Sequence, residues 1–241
     1  IFIPSKNINQ TLLSSFAISL LLNTFNLLYN NFITNMEKFT KEDFINNKVN
    51  LHLHSTFSDG EGDVNDILKQ AKEQGFKKIA FCDHNTVEAY HKTDILKEDI
   101  VMTGVEFDVW CGYVFMHLLA YDIDINNKEL LSFCAKTKKE TELDIVRIFS
   151  KRDIKKLIQA IHNAGGIAVL AHPACCWAIN LDKFVKKLIS YGLDGLEVYY
   201  PYKRHRGIIK FHKAKTVEKI ADKYNLIKTG GTDLHGKTLL D

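Results

Sequence analysis

Proline is scarce, with three residues in a chain of 241. Linker-rich and disordered chains are enriched in proline, so this scarcity argues for a packed protein. The five cysteines include no Cys-x-x-Cys pair, which argues against a zinc ribbon or a disulfide framework. Cys175 and Cys176 are adjacent and read as reduced thiols. Arginine is rare: Arg147, Arg152, Arg204 and Arg206 are the four among 32 basic residues. The formal charge of +3 is too small to mark a nucleic-acid binder by bulk charge alone. A clean hydrophobic span is also missing. Leu12–Leu22 is apolar, but Asn23, Asn26, Asn30 and Asn31 break the continuation, and a membrane span needs ~20 apolar residues. The first 35 residues carry one charge, Lys6, and lack the basic start and small-residue cleavage site of a signal peptide. Residues 1–35 are therefore expected to be a leader, either upstream sequence or an anchor. A cytoplasmic domain is expected over 36–241, with no membrane contact of its own. The chain stops five residues after Gly236, so a C-terminal truncation is part of the same expectation. Nothing in the sequence indicates an oligomeric state.

What is present is ordinary for a soluble domain: 46% hydrophobic and 25% charged residues. From Val49 onward, short apolar runs alternate with amphipathic stretches. Strands are expected at Val49–Leu53, Lys78–Cys82, Ile167–Ala171, Gly195–Tyr199 and Leu226–Thr229. Helices are expected at Val64–Gln74, Val87–Leu96, Leu181–Tyr191 and Ile208–Tyr224. Val101–Val109 and Tyr113–Tyr121 read as a hairpin or as two neighbouring strands. Asn126–Asn163 is helical by pattern, with a break near Lys151-Arg152. About seven βα-type units in series predict an α/β fold with a parallel sheet, open or closed into a barrel.

Nine residues able to bind metal lie at or beside the apolar runs. They are His52, His54 and Asp59 (LHLHSTFSDG), His84 (FCDHNT), Glu106 (GVEF), His117 (FMHLLAY), His172 (LAHP), and Asp233 with His235 (GGTDLHG). His52 and His54 are two apart on a strand, so both side chains share a face and can chelate one ion. Any one such histidine could simply cap a strand; the set together points to a metal site. Imidazole with carboxylate suits zinc, iron(II) or manganese rather than calcium. Asp83 is a candidate to orient a neighbouring histidine, with a plain strand-end turn the alternative. His91, His162 and His212 sit on helical stretches without clustered partners and read as ordinary histidines. Tyr199 and Tyr200 read as core or rim packing, with base stacking the alternative, and Trp110 and Trp177 carry no assigned role.

In order and content these motifs resemble those of the PHP (polymerase and histidinol phosphatase) family over about residues 49–236, particularly its stand-alone phosphoesterases. The resemblance implies a distorted (β/α)7 barrel with three divalent ions, Mn2+, Zn2+ or Fe2+. In that arrangement His52, His54, Glu106 and Asp233 would hold the first ion. Glu106 would bridge to a second ion held also by His117 and His172, and Asp59, His84 and His235 would hold the third. Paired ions lower the pKa of a shared water, so a metal-bridging hydroxide is the expected nucleophile and no side-chain nucleophile is required. The resemblance also implies a substrate-binding histidine after the strand at Gly195–Tyr199. His205, flanked by Arg204 and Arg206, fits it, and guanidinium groups suit phosphate. His205 is then a candidate to contact phosphate or protonate the leaving oxygen.

The expected activity is metal-dependent hydrolysis of phosphate monoesters: a nucleotide, a nucleoside bisphosphate or another small phosphorylated metabolite. The alternatives are a 5′-3′ exonuclease on RNA or DNA ends, a histidinol phosphatase, and a non-catalytic PHP module. A metal-dependent amidohydrolase on a similar barrel is a further rival, but no bridging lysine can be placed. Against the bisphosphate-type relatives, Asn126–Asn163 is short where they carry an inserted domain, which predicts a more open pocket.

Overall fold

The computed structural model describes residues 39–201 and 211–239. Among the described residues, eight strands form two sheets. The first holds β1 (Val49–Leu53), β2 (Lys78–Phe81) and the two-residue β3 (Val101–Met102), all parallel. The second runs β4 (Gly104–Cys111), β5 (Val114–Tyr121), β6 (Ile167–Leu170), β7 (Gly195–Tyr199) and β8 (Ile227–Gly230). Pairing is antiparallel from β4 through β6 and parallel from β6 through β8.

Isolated bridges join the sheets at two seams. At one, Leu53 pairs with Leu234, and the His54 amide donates to the Leu234 carbonyl at 2.9 Å. The Asn50 side chain locks the same seam, donating to Thr232 Oγ1 at 2.7 Å and accepting from the Thr232 amide at 3.0 Å. Gly231 runs so close to β1 that an added Cβ would sit 2.3 Å from the His52 Cβ, which explains glycine there. At the other seam His84 bridges to Glu106, and the Asn85 amide donates to the Glu106 carbonyl at 2.7 Å. The strands thus run in a ring whose two joins are single bridges rather than ladders.

Nine α-helical segments are described; α1 (Lys41–Ile45) precedes β1 and α3 (Glu88–Lys92) follows β2. The regular helices follow from apolar spacing and caps. In α2 (Val64–Glu73), Val64, Ile67, Leu68 and Ala71 form one buried stripe, and Asp63 caps the first turn by accepting from the Asn65 and Asp66 amides. In α7 (Ile154–Asn163), Ile154, Leu157, Ile158 and Ile161 repeat that stripe behind an Asp153 cap. In α8 (Leu181–Ile189), Leu181, Phe184, Val185 and Leu188 do so behind Asn180. Each stripe spans i, i+3, i+4 and i+7, the spacing that puts side chains on one helix face.

The α/β expectation holds, with local differences. The run Val101–Val109 divides at Thr103: β3 completes the first sheet and β4 opens the second. Uninterrupted βα alternation fails at β4–β5, which is an antiparallel hairpin turned at Gly112 (φ 67°). Asn126–Asn163 is not one broken helix. It holds three single-turn helices, α4 (Lys128–Leu131), α5 (Lys139–Glu142) and α6 (Asp144–Arg147), before α7 begins. Each is four residues, too short to bury a continuous stripe, so pattern alone overreads them. The last helix, α9, is Ala214–Lys223 rather than starting at Ile208; residues 202–210 lie outside the described residues. The leader, residues 1–35, is likewise outside them. No helix among the described residues is long and apolar enough to cross a membrane.

Candidate metal centre

β1 is buried along its whole length, as a strand covered on both faces must be; it carries His52 and leads directly into His54, the two innermost imidazoles. His52 Nε2 and His54 Nε2 converge to 3.1 Å. Glu106 enters from β4, with its Oε2 3.3 Å from His52 Nε2 and 3.2 Å from His54 Nε2. Asp233, past β8, places Oδ1 3.5 and 3.1 Å from the same two nitrogens. His84 Nε2 lies 3.4 Å from Glu106 Oε2. On the other carboxylate oxygen, Glu106 Oε1 faces His117 Nδ1 at 3.1 Å and His172 Nε2 at 3.3 Å. Asp59 Oδ1 lies 3.3 Å from His235 Nε2 and 3.6 Å from His54 Nδ1, and Asp59 Oδ2 is 3.8 Å from His84 Nε2.

All nine sequence-predicted candidates therefore meet in one place. Three groups of donors could each hold an ion: His52, His54, Glu106 and Asp233; His84, Glu106 and His117; and His54, Asp59, His84 and His235. The first is the expected set. The third contains the expected trio and adds His54. The second brings His84 in with Glu106 and His117, while His172 reaches the same edge through Glu106 Oε1.

Electrostatics suit a cation. Glu106 is fully buried, yet its Oε2 makes no hydrogen bond to any described residue although three imidazole nitrogens face it. A buried carboxylate oxygen in that state is poorly satisfied by histidines alone and fits a shared ion. Burial favours neutral Glu106, but the charges of His52, His117 and His84 outweigh it and hold its pKa well below the usual range. Burial likewise pushes His54 down, but the Asp233 and Glu106 carboxylates override it and raise it to about 10. His117 rises to about 9, with burial opposed by Glu106 and Asp108. His84 goes the other way, because its burial exceeds the pull of Asp108 and Glu106. A centre that holds protons this tightly without metal is one in which divalent ions would replace them.

Several further residues support the nine. Glu197, fully buried on β7, lies 2.9 Å from His52 Nδ1 and accepts the His172 amide at 2.8 Å. The first contact fixes the His52 proton on Nδ1 and leaves Nε2 for the centre. The second holds a strained backbone, since His172 has φ 28° directly before Pro173. Asp108, two residues along β4 from Glu106, is 3.3 Å from His84 Nδ1 and 3.2 Å from His117 Nε2. Arg147, at the end of α6, donates through Nη1 and Nη2 to Asp59 Oδ2, both at 3.0 Å, and also pairs with Asp144. Tyr200 donates to Asp233 Oδ2 at 2.9 Å and packs its ring on His172 at 5.4 Å.

Of the two readings for Asp83, the structure favours the strand-end turn. Asp83 accepts from the Ser55 amide, Ser55 Oγ and Ser58 Oγ, each at 2.7 Å, and so fastens the turn that presents Asp59. His162 pairs with Asp194 at 2.8 Å and His212 donates to the Ala178 carbonyl at 2.8 Å, both away from the centre. All five cysteines are free thiols, and burial pushes Cys176 up to about 12. Arg204, His205 and Arg206 lie outside the described residues. Of the residues missed, Glu197 and Asp108 had a signal: each is an acid inside an apolar strand run that would otherwise read as buried. Arg147 had none beyond the scarcity of arginine.

An α/β ring whose strand ends gather nine imidazole and carboxylate donors defines a candidate metal centre. The chain belongs to the PHP domain family, whose model matches residues 50–200. It is 24% identical over 259 aligned residues to a phosphoribosyl 1,2-cyclic phosphate 1,2-diphosphodiesterase of Eggerthella lenta, covering 78% of this chain and 94% of that one. A 5′-3′ exoribonuclease of Haemophilus influenzae is 25% identical over 219 residues, covering 63% and 78%. Among solved structures, a proposed metal-dependent phosphoesterase from Bifidobacterium adolescentis superposes with a TM-score of 0.60 at 21% identity, over 78% of this chain and 88% of the other. An amidohydrolase from Chromobacterium violaceum gives 0.61 at 16% identity over the same shares. At these identities the structural likeness establishes the fold alone.

Proposed function

We propose that the protein is a metal-dependent phosphoesterase that hydrolyses monoesters of small phosphorylated metabolites, nucleotides and nucleoside bisphosphates among them, with three divalent ions of the Mn2+, Zn2+ or Fe2+ type. One observation carries this reading: the two oxygens of Glu106 face different sets of imidazoles. Oε2 faces His52, His54 and His84, and Oε1 faces His117 and His172. That division suits a carboxylate shared between two ions. His52, His54, Glu106 and Asp233 would hold one ion, Glu106, His117 and His172 a second, and Asp59, His84 and His235 a third. When bound, such ions supply Lewis-acid charge to phosphoryl oxygens and activate water near neutral pH.

The chain's own residues do the positioning. Glu197 keeps the His52 proton on Nδ1, Tyr200 restrains Asp233, and Arg147 restrains Asp59. Arg204, His205 and Arg206 remain the proposed phosphate contacts, with His205 the candidate to protonate the leaving oxygen.

Phosphodiester hydrolysis, including release of nucleotides from RNA 5′ ends, is the second reading, and the Eggerthella and Haemophilus relatives favour it. Elemental analysis of the purified protein, with phosphate-release assays on monoesters, 3′,5′-bisphosphates, cyclic phosphates and short RNA in manganese or zinc, tests both. Three ions per chain and monoester turnover are expected. Absence of bound metal together with no turnover on any phosphate ester would overturn the proposal. Activity confined to RNA and falling steeply with salt would select the second reading.

A further inference from the structure

A cavity of about 540 Å³ opens beside the centre, lined by His117, His172 and Arg147 on its polar side and by Trp110, Phe115 and Trp177 on its apolar side. The antiparallel register of β4 and β5 explains how one hairpin builds both. Trp110 lies opposite Phe115 and Asp108 opposite His117, so residues two apart on each strand share a face with Glu106. The rings form a continuous series toward the centre. Trp110 and Phe115 are 5.2 Å apart, Phe115 and His117 5.5 Å, and His117 and His172 5.1 Å. The walls are well exposed for such large rings: Trp177 is 67% and Trp110 36% accessible. Exposed aromatics gathered at the mouth of a polar centre mark a binding surface rather than core packing.

We infer that this cavity is a leaving-group pocket that takes a flat aromatic moiety of the phosphate ester, stacked on Trp110 and Trp177. The inference rests on the phosphoesterase reading above and adds the class of organic group to it. An aliphatic group of equal size would fill the same volume, but it lacks the π face that aromatic walls reward. The cavity volume lies within the usual range for small-ligand sites, roughly 300–1,000 Å³. The only two tryptophans of the chain both line it, which gives a direct optical probe.

The test uses matched pairs with the same leaving oxygen. Benzyl phosphate and cyclohexylmethyl phosphate are compared in kcat/KM, and benzylphosphonate and cyclohexylmethylphosphonate in tryptophan-fluorescence titrations. The benzyl member is expected to be favoured roughly tenfold in both assays, a usual scale for stacking. In Trp177→Ala, whose side chain is largely exposed and so dispensable for folding, the preference should shrink to about twofold; Trp110→Leu should shrink it similarly. Equal values for the two esters, or a cyclohexyl preference, would overturn the pocket assignment while leaving the phosphoesterase reading standing. If neither ester releases phosphate and neither phosphonate binds, the pocket assignment fails; the phosphoesterase reading falls only if, in addition, no phosphate ester turns over and no metal is bound. A benzyl preference that survives both tryptophan substitutions would place the aromatic site elsewhere and overturn the assignment.

Discussion

Glu106 is the residue on which the centre turns, because five imidazole nitrogens lie within 3.4 Å of its two oxygens. Glu106→Gln keeps the shape and removes the charge. It should lower turnover by at least 100-fold and reduce the metal content, read by elemental analysis alongside the phosphate assay. Glu197→Gln tests a subtler role. An amide in place of the carboxylate can still accept from the His172 amide, but its hold on the His52 proton weakens, so metal affinity should fall about 10- to 100-fold by competitive chelator titration. The protonation states make a further prediction. In the metal-free protein the His54 pKa is raised to about 10 and that of His117 to about 9, so both are charged at pH 7. The stability these raised values confer is present below the unfolded histidine pKa of ~6.5 and is lost as pH climbs through 9 to 10. Metal binding must expel those protons, so affinity should rise with pH between 6 and 9. Calorimetry in buffers of different ionisation enthalpy should then show release of at least one proton per chain; buffer-independent heats would contradict it. The histidines were legible in the sequence because strand-end imidazoles beside apolar runs are conspicuous. The tie of Tyr200 to Asp233 was not legible, since packing or base stacking is all the sequence suggests for Tyr200 and the bond joins residues 33 apart that share no local pattern.

The element that sequence reading handled least well is the segment between β5 and α7. Its shortness predicts an open pocket, and its apolar pattern predicts longer helices than the three single turns it forms. Yet it delivers Arg147, buried between Asp59 and Asp108, into the heart of the molecule. Propensity alone cannot resolve such turns, since their stability comes from these contacts rather than from helix length. Arg147→Met should cost about 3 kcal/mol in denaturant unfolding of the metal-free protein, because it removes the guanidinium that pairs with buried Asp108 and half-buried Asp59. The loss should be smaller once metal is bound and shares the charge of Asp59. A control lies on α7, where Asp153→Ala removes two cap hydrogen bonds and should cost about 1 kcal/mol, with or without metal. The hairpin β4–β5 was legible as one of two readings of its apolar runs, the other being two neighbouring strands. Its register, which sets Trp110 and Phe115 in line with Glu106 and His117, is tertiary information that no local pattern carries.

At the scale of the whole molecule, the α/β class followed from the alternation of apolar runs and amphipathic stretches. The division into two sheets did not, because seams made of single bridges leave no periodic trace. Ions that bind only the folded centre must stabilise the whole ring. Saturating metal at about 1,000 times its Kd should add ~4 kcal/mol to the unfolding free energy, and a chelator should lower Tm accordingly. Equal Tm values with and without chelator would mean that the nine donors do not act on metal together. The seam between β1 and the residues after β8 has one more consequence. It joins Leu53 to Leu234, and the donors on its two sides are contributed by opposite ends of the domain's sequence. Order of events is therefore built into the architecture. Helices and the central hairpin can form from neighbouring residues, but the centre exists only after the last strand has returned to meet the first. In a refolding experiment, helical signal should recover early and metal uptake late, so that ion binding serves as a clock for the completion of folding.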